Sequence, residues 1–83
     1  MADMNKINEE SLENVSGGAR RTVHNDAVGY ALVRSGPGKS YGEEYRVYNG
    51  ETVYTTGSVR YADGYDWYEL TDGNWIAGSL IGY

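Results

Sequence analysis

Beyond Ala27 turn-forming residues recur every few positions, and that spacing limits what the chain can fold into. The interruptions are Ser35-Gly36-Pro37-Gly38, which holds the only Pro, then Asn49-Gly50, Ala62-Asp63-Gly64 and Thr71-Asp72-Gly73. Gly, Asn and Asp reach the positive φ that tight turns need, and Pro presets φ for entry into a turn. The pieces between them are short. They are Val28 to Val33, Glu44 to Tyr48, Glu51 to Thr56 continued by Ser58 to Tyr61, Trp67 to Leu70, and Asn74 to Ala77; Ser79 to Tyr83 closes the chain. These segments are rich in β-branched and aromatic residues and carry no helical period. The expected fold is all-β, a small barrel or sandwich of about five to seven short strands.

Alternation assigns faces within that fold. Tyr68 and Leu70 fall on one side of their strand, with Trp67 and Glu69 on the other. We assign Tyr68 and Leu70 to the core together with Val53 and Ile76, which leaves Trp67 and Trp75 at or near the surface. With Tyr41, Tyr45 and Tyr48 these two indoles are candidates for an aromatic groove. Aromatic usage is itself uneven: nine Tyr, two Trp and no Phe, all at or after Tyr30. Such rings combine a large apolar body with a polar tip, which suits both half-buried sheet surfaces and binding faces.

The first 18 residues have a different character, with four acids, one Lys and no aromatic residue. Met4, Ile7, Leu12 and Val15 fall within a stripe of roughly 140° at about 100° per residue, one side of an amphipathic helix, with Glu9 and Glu10 on the other. Gly17-Gly18 ends any such helix. Alone in water so short a segment is expected to be disordered or weakly helical, becoming ordered when a partner receives its apolar side. The chain thus divides into an N-terminal segment (1–18), a polar linker (19–26) and one domain (27–83).

Composition removes several functions. A formal charge of -5 opposes nucleic-acid binding, which needs clustered Lys and Arg against phosphate. No apolar run reaches the roughly 18 to 20 residues of a membrane-spanning helix, and no basic region followed by an apolar stretch marks an ordinary signal peptide. The absence of Cys eliminates thiol nucleophiles, zinc-finger spacings and disulfides. The only His, His24, lies near Asp26 in the polar linker, and no Ser has the setting of a catalytic nucleophile. Asp63, Asp66 and Asp72 stand among Gly residues, as turn residues do, and their spacing does not fit a calcium loop. No enzyme activity, metal or cofactor is expected.

Several stretches resemble bacterial SH3 domains. Val33-Arg34-Ser35-Gly36-Pro37-Gly38-Lys39-Ser40-Tyr41 is similar to a motif near the start of those domains. Asn49-Gly50-Glu51-Thr52-Val53 resembles their turn into the second main strand. Trp67-Tyr68-Glu69-Leu70 and Asp72-Gly73-Asn74-Trp75-Ile76-Ala77-Gly78-Ser79-Leu80 are similar to the strand and hairpin that close them, with Asn74 where Gly is usual. The segment from Ser58 to Tyr65 is longer and richer in Tyr than its counterpart. The resemblance covers about Ala27 to Tyr83 and implies an SH3-like barrel. It also implies a monomeric module that binds peptide, such as the peptide part of peptidoglycan, through Tyr41, Tyr45, Tyr48, Trp67 and Trp75.

The N-terminal segment resembles the double-glycine leaders of bacteriocin-type peptides. Counted back from Gly18, the positions those leaders keep apolar fall on Val15, Leu12, Ile7 and Met4, although the usual Glu is Ser11. The resemblance implies recognition by an ABC exporter carrying a Cys peptidase, which cuts between Gly18 and Ala19 after the Gly17-Gly18 pair. The expected product acts outside the cell, as a bacteriocin-like or wall-modulating factor. Two other readings stand beside this one. In the first, a cytoplasmic interaction module docks its N-terminal helix on a partner. In the second, the chain is a precursor whose Tyr-rich cargo is enzymatically modified.

Overall fold

The structure, a computed structural model, describes residues 18–83. Met4, Ile7, Leu12, Val15 and Gly17 lie outside the described residues. The elements are β1 (Ala19–Thr22), β2 (Tyr30–Arg34), β3 (Glu43–Tyr48), β4 (Thr52–Ala62), β5 (Tyr65–Leu70), β6 (Trp75–Ala77) and a 3-10 helix (Gly78–Ile81). They form one antiparallel sheet in the order β1-β4-β5-β6-β2-β3. The fold is all-β, as the turn spacing predicts.

The two edges of this sheet are drawn together at one end. Val23, just past β1, donates its N–H to the Glu51 carbonyl at 2.9 Å and accepts from the Gly50 N–H at 3.0 Å. The residue leaving β1 is thereby joined to the turn that follows β3, and the sheet curls around a single core. That core holds Val23, Ala31, Val33, Val47, Val53, Leu70, Ile76 and Ile81, with Tyr68 and Leu80 packed against it. The choice of Tyr68, Leu70, Val53 and Ile76 as inward residues agrees with this packing. Burying one such aliphatic side chain contributes about 1.5–3 kcal/mol, so a domain this small depends on nearly all of them.

Three stretches differ from expectation. Ala19–Thr22, read as linker, is a strand whose residues pair with Thr55 to Thr52. Its sequence, Ala-Arg-Arg-Thr, has no apolar alternation, because a strand held at an edge needs few inward residues. Arg21 anchors it instead, donating from Nε to the Ile81 carbonyl at 2.9 Å. Next, the two segments on either side of Gly57 are one strand of eleven residues. Gly57 adopts φ +101°, and the register with β5 shifts between Thr55 and Val59. The bulge bends β4 so that one strand serves β1 at its start and β5 at its end. Finally, the chain closes with a 3-10 helix, ended by Gly82 at φ +89°.

Candidate functional site

The outer face of the sheet carries a patch that alternation predicts once register is known. Opposed residues share a face, so Tyr30 with Tyr48 and Leu32 with Arg46 lie outside, because Ala31 with Val47 lies inside. The same parity puts Tyr65, Trp67, Trp75 and Ala77 outside, opposite Tyr68 and Ile76. Over this face runs the loop between β2 and β3. It returns through Gly36, Pro37 and Gly38, with the Tyr41 ring lying on Gly36 so closely that a Cβ there would meet it at 2.3 Å.

Between loop and face lies a groove of about 290 Å³. Trp67 lies at its base, only 4% exposed, with its Nε1–H donated to the Ala62 carbonyl at 2.9 Å. Leu32, Ala77 and Leu80 extend the apolar lining, and Tyr30, Arg34, Lys39 and Tyr65 contribute the rest with Asn25, Val28 and Ser79. Tyr65 meets Trp67 edge-on, with centroids 6.1 Å apart. Lys39 Nζ stands 4.7 Å from the Tyr65 ring centre, and the Arg46 guanidinium carbon 4.3 Å from that of Tyr30. These cation–π contacts hold the basic groups close to aromatic faces.

The loop that walls the groove is fixed from two sides. Arg34 donates from Nη1 to the Tyr41 carbonyl at 3.0 Å, with Glu43 at 3.9 Å from its Nη2. On the other side Asp63 Oδ2 accepts the Lys39 backbone N–H at 2.7 Å. Asp63 and Gly64 form the β4–β5 turn with φ of +55° and +85°, as a two-residue hairpin of matching twist requires. The long, Tyr-rich β4–β5 hairpin is therefore one jaw of the groove, and the Gly-Pro-Gly loop is the other.

The five candidate aromatic residues do not form one site. Trp67, expected at or near the surface, is buried. It does point away from the core, but Tyr65, the loop and the neighbouring strands cover it, so it serves as base rather than rim. Trp75 is half-buried on the same face, paired with Glu69 and Arg34. Tyr48 packs edge-on against Tyr30 at 5.8 Å, and Tyr41 covers the loop glycines. Tyr45 is elsewhere altogether. It pairs with Val33 on the core side and lines a second opening of about 500 Å³ with Val47, Val53, Leu70 and Asp72.

At that opening the Tyr45 hydroxyl donates a short hydrogen bond to Asp72. Burial, followed by the hydrogen bond to the Asp72 carboxylate, pushes the Tyr45 hydroxyl up to about 12. For Asp72, burial acts upward; the Tyr45 hydroxyl and the Asn74 bonds outweigh it and hold the carboxyl below its ordinary 3.8. This pair closes the gap between β3 and the β5–β6 turn. It is a brace, and we place the candidate site at the aromatic-based groove.

Sequence reasoning missed Tyr30, Leu32, Lys39 and Tyr65. Period-two alternation from Trp67 reaches Tyr65, and from Arg34 it reaches Leu32 and Tyr30. Lys39 enters through a tertiary link to Asp63 that no local pattern announces. His24 Nε2 lies 2.8 Å from Asp26 in an exposed turn. Among the described residues no group of His, Cys, Asp or Glu is arranged to hold a metal, and no helix is long and apolar enough to cross a membrane.

Among the described residues, fold and groove together define a small all-β domain with a cleft based on Trp67. Comparison with known proteins finds no matching family model, curated protein or solved structure.

Proposed function

We propose that this chain is an exported, non-enzymatic binding module that holds an extended peptide, such as the peptide part of peptidoglycan, in the groove over Trp67. Residues 1–18 act as a double-glycine leader for a peptidase-containing ABC exporter, and cleavage between Gly18 and Ala19 releases residues 19–83 to work outside the cell. The observation that carries the binding half is the groove itself. A buried indole base with flanking tyrosines accepts an extended chain at little entropic cost, since the rings are already held. The SH3-like motifs and the apolar spacing of Met4, Ile7, Leu12 and Val15 support the rest.

Two measurements test the two halves separately. Intact mass in producer cells and medium is expected to give an extracellular species beginning at Ala19. Full-length chain found only inside cells overturns export and turns the reading to a cytoplasmic partner. Titration of labelled protein with soluble peptidoglycan fragments is expected to shift the amides of Lys39, Tyr65 and Ser79. Shifts confined to the Tyr45–Asp72 opening overturn the site.

A further inference from the structure

The groove departs from the charge of its own chain. The sequence holds twelve acids against seven bases, yet the groove lining includes Arg34 and Lys39 and no carboxylate. Two acids outside the lining adjoin these two residues. Glu43 stands 3.9 Å from Arg34 Nη2, and Asp63 accepts the Lys39 backbone N–H, 2.7 Å away. Lys39 Nζ itself lies over Tyr65 at 4.7 Å, at the mouth of the groove and next to its apolar base. A third cation, Arg46, stands over Tyr30 on the same face.

The lining is thus apolar at its base and cationic at one wall. The groove holds about 290 Å³, enough to seat a few apolar side chains, and its cationic wall suits the single carboxylate that ends a peptide chain.

We propose that the groove reads the C-terminal end of a short apolar peptide, seating its last side chains on Leu32, Trp67 and Leu80 and its terminal carboxylate against Lys39 and Arg34. This rests on the groove reading above and adds the ligand chemistry to it. The cations supply attraction where the net charge of the chain does not, and Trp67 and Leu80 supply the apolar contact. A carboxylate bound by a Lys ammonium and an Arg guanidinium makes charge-assisted hydrogen bonds, roughly twice as strong as neutral ones.

The experiment is a titration of the full-length labelled chain with a set of apolar tetrapeptides, each made as free acid and as C-terminal amide. A matching amide set carries one internal Glu. Free acids are expected to bind about tenfold more tightly than amides, the size that one charged hydrogen bond supplies, and to shift Lys39, Tyr65 and Ser79. Lys39→Gln, an exposed position, is expected to remove most of that preference, so that the affinities for free acid and amide converge. The preference is also expected to shrink with added salt. Equal binding of acid and amide overturns the carboxylate proposal and leaves the groove reading intact. Glu-containing amides that match the free acids overturn the assignment to a chain end. If no peptide of any set shifts the groove residues, the groove reading falls and the proposal with it.

Discussion

Asp63 and Lys39 lie 24 residues apart in sequence, and the Asp63 carboxylate accepts the Lys39 backbone N–H at 2.7 Å. That one bond joins the tip of the β4–β5 hairpin to the Gly-Pro-Gly loop, the two jaws of the groove. Asp63 is also the one non-Gly residue with positive φ among the described residues, a conformation Asp tolerates better than most. Turn and clasp therefore depend on the same residue. Asp63→Ala loses both the bond and the turn preference and is expected to destabilise the domain by about 1–2 kcal/mol, the charged bond being discounted for its exposure. Asp63→Asn keeps the turn and a weaker acceptor and should lose less. Hydrogen exchange at the Lys39 amide measures the clasp directly, and unchanged protection in Asp63→Ala would remove the clasp from the account.

Trp67 separates packing from hydrogen bonding. Trp67→Ala opens a cavity beneath the groove and is expected to lower stability by about 3–5 kcal/mol, enough to unfold a domain of this size. Trp67→Phe keeps most of the packing and leaves the Ala62 carbonyl without its indole donor, for a smaller loss of about 1–2 kcal/mol. Denaturant midpoints of the two variants give both numbers. Peptide binding in the folded Phe variant then reports how far the groove depends on the full indole.

The Tyr45–Asp72 brace makes stability depend on pH at both extremes. The folded pKa of Tyr45 is raised, so its contribution is whole below the ordinary 10.0 and is lost as pH climbs through about 12. The folded pKa of Asp72 is lowered, so its contribution is present above 3.8 and is lost as pH falls through the folded value. Tyr45→Phe is expected to flatten both dependences and to move the Asp72 titration upward, read from its side-chain carboxyl resonance. An Asp72 titration that stays where it is in Tyr45→Phe would show that the hydroxyl does not hold it.

How much of this was legible in the sequence follows from how local each feature is. Asn49-Gly50, Asp63-Gly64 and Thr71-Asp72-Gly73 fix turns through backbone preferences within two or three residues, so the strand pieces appear without any tertiary knowledge. Inward Leu70 and Ile76 follow from alternation, because the side-chain period of a strand is two. The covered position of Trp67 does not, since the same alternation describes an outward residue whether or not a loop closes over it. Strand β1 was hidden for a related reason. Ala19–Thr22 carries no apolar pattern and is held by Thr55, the Arg21 bonds to Ile81 and Gly82, and the Tyr83 ring under Arg21, all of them far away in sequence. Tyr45 failed as a groove residue because the Val33 register turns it to the core side, and register is not a local property.

Strand β1 begins at the residue that follows the proposed cut, and this constrains when processing can happen. Ala19 donates its N–H to Thr55 Oγ1 at 3.1 Å and its carbonyl accepts from the same hydroxyl at 3.3 Å, while Thr55 is fully buried. A peptidase that takes its substrate extended through a narrow cleft needs the residues after the cut as well as those before it. Ala19–Thr22 are already paired with β4, so the folded domain withholds them. Cleavage of the full-length chain by a double-glycine peptidase is therefore expected to be at least about tenfold slower than cleavage of a peptide spanning residues 1–26, the protection that a local opening free energy of about 1.4 kcal/mol confers. Thr55→Val and Arg21→Ala, which loosen β1, should speed cutting of the full chain toward the peptide rate. A peptide that is not cut at all would refute the leader itself. A peptide cut no faster than the folded chain would leave the leader standing and show that β1 offers the Gly18–Ala19 bond no protection.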